Sequence, residues 1–289
     1  MNFLPLRHKL TLWKNSKVVI IPAPYEKTTS YGQGTEKGPK AIIEASSKLE
    51  LFDIDYGFEP SEIGFHTLPF PPKSSMSKPK SMLKYLYEKT CRVIMADKLP
   101  VILGGEHTVT LGPVQYIAEK YKNLTVLSLD AHTDLREKYF DDRFSHACVL
   151  RRVLDYAKVV EAGIRSTSLE EQKTIEQFRV PVFFAEDILG SENFLEKLIP
   201  ALSENVYVSI DIDVFDPGVV PSTGTPEPGG LGWYDVIKII KTVASKRKVV
   251  GFDLVELSPV KGNNAPDFMA AKLVYKFASE IFCAKMSKK

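Results

Sequence analysis

The stretch LTVLSLDAHTD, from Leu124 to Asp134, joins a run of strand-forming residues directly to a set of potential metal ligands. Its first part, Leu124–Leu129, is apolar or β-branched at nearly every position, which is typical of a strand covered on both faces of a parallel sheet. Asp130, His132 and Asp134 follow two residues apart, so an extended backbone projects their side chains to one side. Because open parallel sheets bind ligands just beyond the carboxyl ends of their strands, the stretch predicts a parallel α/β fold with a site at that edge.

Short apolar runs alternate with helical periodicity along the rest of the chain. The apolar runs predict strands at Lys17–Ile21, Pro100–Leu103, Leu124–Leu129, Val159–Ala162, Val180–Phe184, Val206–Ile210 and Val249–Leu254. Helices are predicted at Lys40–Ser47, Lys80–Ala96, Pro113–Tyr121, Ala147–Ala157, Leu169–Gln177, Phe194–Leu202, Tyr234–Ser245 and Phe268–Ala284. Pro113 is expected to be the first residue of its helix, where its missing N–H is not needed. The alternation predicts one three-layer α/β/α domain, residues 1–289, around a central, mostly parallel sheet.

The composition narrows the classes of function. The chain has 289 residues, of which 44% are hydrophobic, and a formal net charge of +2, as expected for a globular protein. No basic segment with interleaved aromatic residues is present, which argues against nucleic-acid binding. No apolar run approaches the ~20 residues of a membrane span. The start Met1–Pro5 lacks the features of a signal peptide, so a cytoplasmic location is expected. The lysine-rich tail Lys285–Lys289 is interpreted as solvated surface.

Two more blocks of potential ligands follow predicted strands. Gly104–His107 comes after the strand that ends at Leu103, and Asp211–Asp213 comes after the strand that ends at Ile210. Together the three blocks supply His107, Asp130, His132, Asp134, Asp211 and Asp213 as candidate metal ligands. Carboxylates are costly to bury unless a cation or hydrogen bonds compensate their charge. Because the blocks hold no thiolate, a structural zinc site is disfavoured, and the oxygen-rich set suits two harder divalent ions, with Mn²⁺ first and Co²⁺ or Ni²⁺ as substitutes.

Two other polar residues belong to the same predicted edge. Glu256 follows the Val249–Leu254 strand, and His146 lies in the loop that leaves the second ligand block. Clusters of acidic and imidazole side chains from separate parts of the chain are therefore expected to converge at one rim of the sheet. This convergence predicts a dinuclear metallohydrolase.

Several segments resemble the signatures of the ureohydrolases, the family that includes arginase and agmatinase. Four of them contain candidate ligands or Glu256: Gly104–Thr108, Asp130–Arg136, Ser209–Pro217 and Gly251–Pro259. Gly163–Ser166 and Ser222–Pro226, followed by Gly229 and Gly230, resemble the agmatinase branch in particular. The resemblance covers essentially the whole chain and implies an arginase-like fold. Glu106 is one departure, because many relatives carry aspartate at that position.

The resemblance implies how two Mn²⁺ ions would share the candidate ligands. Asp130 and Asp211 would bridge the two ions. The remaining ligands would divide into two pairs, His107 with Asp134 on one ion and His132 with Asp213 on the other.

The resemblance also implies residues that act on the substrate. Glu256 would pair with a guanidinium group, Thr225 would lie in the pocket wall beside it, and His146 would place the substrate or transfer a proton. A hydroxide shared by the two metals would attack the guanidinium carbon, because metal coordination lowers the pKa of water to about 7. Asp134 and His146 are the candidates for giving the leaving amine its proton.

These roles predict the hydrolysis of agmatine to putrescine and urea, a step of polyamine biosynthesis. Glu137, Asp141 and Asp142, in the loop before His146, are expected to favour the free ammonium of agmatine over a carboxylate. The alternatives are a sister ureohydrolase acting on N1-aminopropylagmatine, guanidinobutyrate, arginine or formiminoglutamate, a silent metal-binding regulatory relative, or a deacetylase of related fold. The resemblance further implies a homo-oligomer, either a trimer or a hexamer.

Overall fold

A sheet of eight parallel strands forms the centre of the protein, for which the computed structural model describes residues 1–284. The strands are β1 (Val18–Ala23), β2 (Phe65–Thr67), β3 (Leu99–Gly104), β4 (Leu124–Leu129), β5 (Lys158–Ile164), β6 (Val182–Phe184), β7 (Asn205–Asp211) and β8 (Lys248–Val255). Their order across the sheet is β2-β1-β3-β8-β7-β4-β5-β6. The lysine-rich tail, residues 285–289, lies outside the described residues.

Helices cover both faces of this sheet, which confirms the predicted three-layer α/β/α architecture. Residues 1–284 contain α1 (His8–Thr11), α2 (Gly38–Ser46), α3 (Pro79–Met95), α4 (Leu111–Lys120), α5 (Val149–Val153), α6 (Leu169–Phe178), α7 (Ala185–Leu189), α8 (Phe194–Ala201), α9 (Trp233–Lys246) and α10 (Ala265–Cys283). Residues of α2, α7, α8, α9 and α10 pack on one face, and residues of α3, α4, α5 and α6 pack on the other.

Strand β1 shows why both faces need a cover. Val18 and Ile20 pack into one apolar layer, Val19 and Ile21 pack into the other, and none of the four is accessible to solvent. A fully buried aliphatic side chain of this size contributes about 1.5–3 kcal/mol relative to an exposed one. A strand that is apolar at every position is therefore stable only between two layers.

Some local predictions differ from the structure. The sequence pattern does not predict β2 or α7, because elements of three and five residues are too short to show a periodicity. The helix expected to begin at Pro113 begins at Leu111, since the 3₁₀ turn His107–Thr110 runs directly into α4. The helix expected over residues 147–157 is reduced to the short α5, which follows the 3₁₀ turn His146–Cys148.

The strand order determines where the predicted ligand blocks meet. Strands β3, β8, β7 and β4 are consecutive at the centre of the sheet. Their carboxyl ends lead to His107, Glu256, Asp211 and Asp130, respectively. Residues that lie far apart in the sequence thus become neighbours at one edge of the sheet. That residues 1–289 form one domain stays a prediction.

Within the described residues, no helix combines the length and the apolar character needed to cross a bilayer.

Candidate metal centre and active site

His107 lies among three of the candidate carboxylate ligands. Its Nδ1 atom is 3.1 Å from Asp130 Oδ2, 3.1 Å from Asp134 Oδ2 and 3.6 Å from Asp211 Oδ2. The imidazole is fully buried, and each of the three carboxylates is at most 10% exposed. One ring nitrogen carries at most one proton, so this nitrogen cannot hydrogen-bond well to all three carboxylates.

His132 lies in a second group, next to the first. Its Nδ1 atom is 2.9 Å from Asp213 Oδ2 and 3.8 Å from Asp130 Oδ1. One ligand atom each from His107, Asp130 and Asp211 lies within 4.8 Å of the others, and so does one each from Asp130, His132 and Asp213. Asp130 therefore belongs to both groups, as a ligand shared by two ions must.

The donors fit divalent cations because the chain does not fully compensate the buried carboxylates of Asp130 and Asp211. Burial and the neighbouring charge of Asp213 raise the pKa of Asp130 to about 7. Burial, followed by the charges of Asp213 and Asp130, raises the pKa of Asp211 well above its usual value. Oδ2 of Asp130 is inaccessible to solvent and receives no well-oriented hydrogen bond from the described residues, although His107 Nδ1 lies 3.1 Å away. Oxygen-rich sets with two imidazoles suit ions such as Mn²⁺, and a bound cation would remove the repulsion that these shifts report.

The two imidazoles respond to the same excess of negative charge. Burial alone would lower the pKa of His107, but the carboxylates of Asp130 and Asp134, each 3.1 Å from Nδ1, bring it well above its usual value. Burial also opposes protonation of His132, yet its hydrogen bond to Asp213 raises its pKa to about 10. The excess negative charge thus favours protonated imidazoles, whereas metal ligation requires neutral imidazole and ionised carboxylate, so bound cations would replace these protons.

A chain of hydrogen bonds fixes the orientation of the His107 ring. Nε2 of His107 lies 2.9 Å from Ser209 Oγ, and the Ser209 hydroxyl donates to Asp253 Oδ1 at 2.6 Å. Tyr207 donates to the second oxygen of Asp253 at 2.7 Å. With Nε2 held in this way, Nδ1 is the ring nitrogen that faces the carboxylates.

Asp134 and Glu256, both with predicted catalytic roles, have left-handed backbones. The φ angle is +47° at Asp134 and +62° at Glu256. Residues other than glycine adopt this region rarely, and such strain persists where the surrounding structure enforces it, often at functional positions. At Glu256, Oε1 accepts a hydrogen bond from the His107 N–H at 2.7 Å, which leaves the second carboxylate oxygen for a ligand.

His146 is held by hydroxyl groups and by a loop that the sequence motifs do not include. Its backbone N–H donates to Thr28 Oγ1 at 2.9 Å, and its Nδ1 lies 3.3 Å from the same oxygen. Ser30 Oγ lies 3.4 Å from Nε2, and Ser145 Oγ lies 3.3 Å from Nδ1. The Thr28 hydroxyl in turn donates to Glu106 Oε1 at 2.8 Å.

Glu106 organises this loop. Its buried carboxylate accepts hydrogen bonds from the N–H groups of Lys27 and Thr28 and from the hydroxyls of Thr28 and Thr108. The loop follows β1, whose carboxyl end lies at the same edge of the sheet as the ligand blocks. That position is the signal from which the contribution of Thr28 and Ser30 could have been inferred.

Most of the predicted site residues line one cavity of about 180 Å³. Seven of them line it: His132, Asp134, His146, Asp211, Asp213, Thr225 and Glu256. His107 and Asp130, which are 0% and 1% exposed, complete the ligand groups without lining the cavity. The lining also includes Ser30, Tyr31 and Ser166, together with Arg136 and Glu171, which lie 3.7 Å apart. The structure thus places all the residues predicted for the site in or directly beside one pocket.

The acidic residues of the loop before His146 lie away from this cavity, so they give no support to the predicted contact with a substrate ammonium. Glu137 forms ion pairs with three arginines. Asp141 is 98% exposed and pairs with Lys138, and Asp142 accepts from the N–H of Phe144. The amino-acid composition of a loop near a site does not show whether its charged side chains point towards that site.

Arg165 and Asp216 support the site through the backbone. The Arg165 guanidinium donates to the carbonyl oxygens of Asp213 and Glu227 at 2.6 and 2.8 Å, so it ties a ligand loop to the loop that carries Thr225. The Asp216 carboxylate accepts from the N–H groups of Gly229 and Gly230. Both residues occur in the segments that resemble the ureohydrolases, but their roles here are structural.

Comparisons with known proteins agree with this geometry. The model of the Arginase family matches residues 16–279. The chain is 37% identical to an N(1)-aminopropylagmatine ureohydrolase of Synechocystis over 92% of this chain and 90% of the relative. It is also 37% identical to an agmatinase of Pyrococcus horikoshii over 91% of each chain. The crystal structure of an agmatine ureohydrolase of Thermoplasma volcanium superposes with a TM-score of 0.85 at 30% identity, covering 97% of this chain and 95% of that one. The chain belongs to the arginase family.

Proposed function

We propose that the protein hydrolyses the guanidino group of agmatine and releases putrescine and urea. The observation that carries this proposal is the pair of ligand groups that share Asp130 beside a cavity in which Glu256 and His146 also lie. The relatives support the reaction class, since those named above are ureohydrolases of agmatine or of N(1)-aminopropylagmatine.

The two ligand groups would hold two divalent ions, and Mn²⁺ is the proposed metal. His107 and Asp134 would serve one ion, His132 and Asp213 the other, and Asp130 and Asp211 both. When bound, such ions supply a strong nucleophile at neutral pH by lowering the pKa of a water molecule.

Glu256 would bind and orient the guanidinium. Its carboxylate borders the cavity, and only one of its oxygens is engaged by the His107 N–H. A carboxylate pairs well with a planar guanidinium, and Thr225 would close the wall beside it. Two divalent ions offset the four aspartates in charge, so Glu256 leaves the cavity negative and attractive to a cation.

The leaving nitrogen must gain a proton when its bond to the guanidino carbon breaks. Asp134 and His146 both line the cavity and would hold or deliver that proton. Three hydroxyls, those of Thr28, Ser30 and Ser145, lie within 3.4 Å of the His146 ring and restrict its rotation. Addition of water and loss of the protonated amine balance the reaction as urea and putrescine.

N1-aminopropylagmatine is the second candidate substrate. Relatives from Synechocystis and Thermus thermophilus, 37% and 36% identical, are named for it. Apart from the candidate ligands and Glu256, the cavity is lined by hydroxyl-bearing residues and by Arg136 and Glu171, which lie 3.7 Å apart, so it does not require a terminal ammonium close to the guanidinium. A longer polyamine tail would extend along that part of the lining.

Urea release by Mn²⁺-loaded protein from a panel of compounds tests the proposal. We expect kcat/KM for agmatine or N1-aminopropylagmatine to exceed the values for arginine and guanidinobutyrate by at least about a hundredfold, since both of the latter bring a carboxylate into an acidic cavity. Faster turnover of arginine or guanidinobutyrate would contradict the electrostatic argument. Tight Mn²⁺ binding without urea from any compound would instead indicate a silent relative.

A homo-oligomeric state, trimer or hexamer, and a cytoplasmic location are further proposals that rest on the family.

A further inference from the structure

A second cavity lies among α3, α4, α5 and the loop before His146. Its volume is about 610 Å³, within the roughly 300–1,000 Å³ typical of small-molecule sites. We propose that this cavity, called the basic cavity below, binds an organic phosphate of nucleotide size. The proposal is independent of the reaction at the metal centre.

Positive charge dominates the lining of the basic cavity. Lys80, Lys84, Arg143 and Arg152 line it, whereas Asp155 is its only acidic lining residue among residues 1–284. A cavity walled by protein with an excess of one charge concentrates ions of the opposite charge. The positive charge of the basic cavity therefore favours an anionic ligand, whereas the cavity at the metal site is expected to favour a cationic one.

Acidic residues nearby do not neutralise these cations. Glu137 is shared among Arg143, Arg151 and Arg152, at N···O distances of 2.7, 3.0 and 2.6 Å. Asp155 already pairs with Arg151 at 3.2 Å. Glu137 and Asp155 together carry two negative charges against three guanidinium groups, and Glu88 pairs with Lys84 alone, so net positive charge remains at the wall of the cavity.

Arg152 adds an independent sign of an incomplete site. Its side chain is only 7% exposed, and one of its nitrogens donates to Glu137. Its Nε is inaccessible and has no hydrogen-bond partner within residues 1–284. A buried guanidinium with an unused donor is costly, and an anion in the adjoining cavity would offset its charge.

The other residues that line the basic cavity are aromatic or apolar, and a planar chemical group such as a nucleobase could pack against them. Tyr87, Phe144 and Tyr156 line the cavity together with the apolar Leu83 and Leu111. Phe144 and Tyr156 are 41% and 47% exposed, so their rings are accessible. Aromatic side chains stack on nucleobases with about 1–3 kcal/mol per base. Cations beside aromatic walls match a phosphate attached to a base, rather than inorganic phosphate alone.

Isothermal titration calorimetry with adenosine monophosphate, adenosine and inorganic phosphate tests the chemistry of the ligand. We expect saturable binding of adenosine monophosphate at submillimolar concentration, and binding at least about tenfold weaker for each of the other two compounds. Absence of saturation by adenosine monophosphate in the millimolar range would overturn the proposal. Equal affinity for inorganic phosphate would also overturn it, because the aromatic walls would then contribute nothing.

A matched pair of charge reversals locates the site. Lys84 pairs with Glu88 at 3.9 Å on α3, and Lys40 pairs with Glu44 at 3.6 Å on α2, both as exposed i,i+4 pairs. Lys84→Glu should weaken binding of adenosine monophosphate at least about tenfold, whereas Lys40→Glu, with the same change in net charge, should weaken it less than about twofold. Circular dichroism of both variants checks folding. An equal loss in the two variants would place the ligand elsewhere.

Discussion

Two of the clusters that contain buried charged side chains offset the cost of burial in different ways. The metal-site cluster comprises the six candidate ligands, namely His107, Asp130, His132, Asp134, Asp211 and Asp213. The α10 cluster comprises Asp53, Asp55, Lys276 and Glu280. In the α10 cluster, Lys276 Nζ lies 2.8, 2.6 and 3.0 Å from carboxylate oxygens of Asp53, Asp55 and Glu280, respectively. The chain supplies its own cation there, and burial is compensated within the fold.

The metal-site cluster contains no lysine or arginine in contact with its carboxylates among residues 1–284. Its aspartates face two imidazoles and one another, which raises the pKa of Asp130 and Asp211 through burial and mutual repulsion. In the α10 cluster, burial opposes the charge of Lys276, but hydrogen bonds to Asp53 and Asp55 raise its pKa. A buried acidic cluster without a partner from the chain indicates a place for an external cation, whereas a paired one indicates a structural role.

Removal of the shared carboxylate should have the largest effect. Asp130→Asn should lower kcat/KM for urea release by at least about a thousandfold, because it removes a ligand from both groups. In the metal-free protein the same change should not lower the free energy of unfolding, since it relieves repulsion among aspartates. Turnover close to wild type would show that Asp130 holds no catalytic ion, and marked destabilisation of the metal-free variant would show that the chain compensates Asp130 after all.

Removal of the lysine from the α10 cluster should act on stability alone. Lys276→Met should lower the free energy of unfolding by about 3–5 kcal/mol, because it leaves buried carboxylates without their cation. Urea denaturation measures the change. Lys272→Met is the matched control, four residues earlier on the same helix, where Nζ donates to the carbonyl oxygen of Glu50 at 3.2 Å and lies 5.5 Å from the Tyr275 ring, but pairs with no carboxylate among the described residues. Equal losses in the two variants would contradict the special role assigned to Lys276.

A substitution in the loop that holds His146 should have a smaller effect, limited to the rate of catalysis. Thr28→Val removes the hydroxyl that accepts from His146 N–H and contacts its ring, so kcat for urea release should fall about tenfold, as expected for the loss of one or two hydrogen bonds. KM should change little, because Glu256 still binds the guanidinium. Thr28→Ser keeps the hydroxyl and should retain most of the activity. A loss in the serine variant as large as in the valine variant would contradict the positioning role.

The smallest expected effect concerns how the stability of the fold depends on pH, through the carboxyl group of Asp55. Hydrogen bonds from Lys241 and Lys276 lower the pKa of Asp55 to about 2, below the value near 4 of an unfolded chain. A lowered carboxyl pKa stabilises the fold above pH 4, and the contribution is lost as the pH falls towards 2. Because this carboxylate is 45% exposed, we expect less than about 1 kcal/mol. Acid unfolding of Asp55→Asn should show a correspondingly smaller loss over that range; an unchanged profile would contradict the assignment.

The sequence predicts the centre of the fold better than its margins. Strands β3, β4, β7 and β8 are recognisable because each is apolar at consecutive positions, and their carboxyl ends necessarily share one edge. The edge strand β2 has too few residues to produce a pattern, and its pairing with Val18–Ile20 depends on the completed sheet. Sequence patterns therefore identify the strands that are long and buried on both faces.

The residues of the candidate site also differ in how well the sequence predicts them. The six candidate ligands could be recognised in the sequence because they lie at or just beyond the ends of buried strands, where so many charges indicate a site. Thr28 reaches His146 across 118 residues of sequence, and Glu137 turns to arginines outside the cavity. Neither contact follows from local sequence, because both depend on how loops close over the edge of the sheet. Roles in catalysis remain predictions for all of these residues.

Anomalous scattering from crystals loaded with Mn²⁺ tests the central claim most directly. We expect two peaks about 3.5–4 Å apart, both within bonding distance of Asp130, with His107 beside one and His132 beside the other. An absence of peaks at these residues, or a single ion that leaves one of the two histidines unbound, would contradict the claim that the acidic cluster exists to hold a pair of metals.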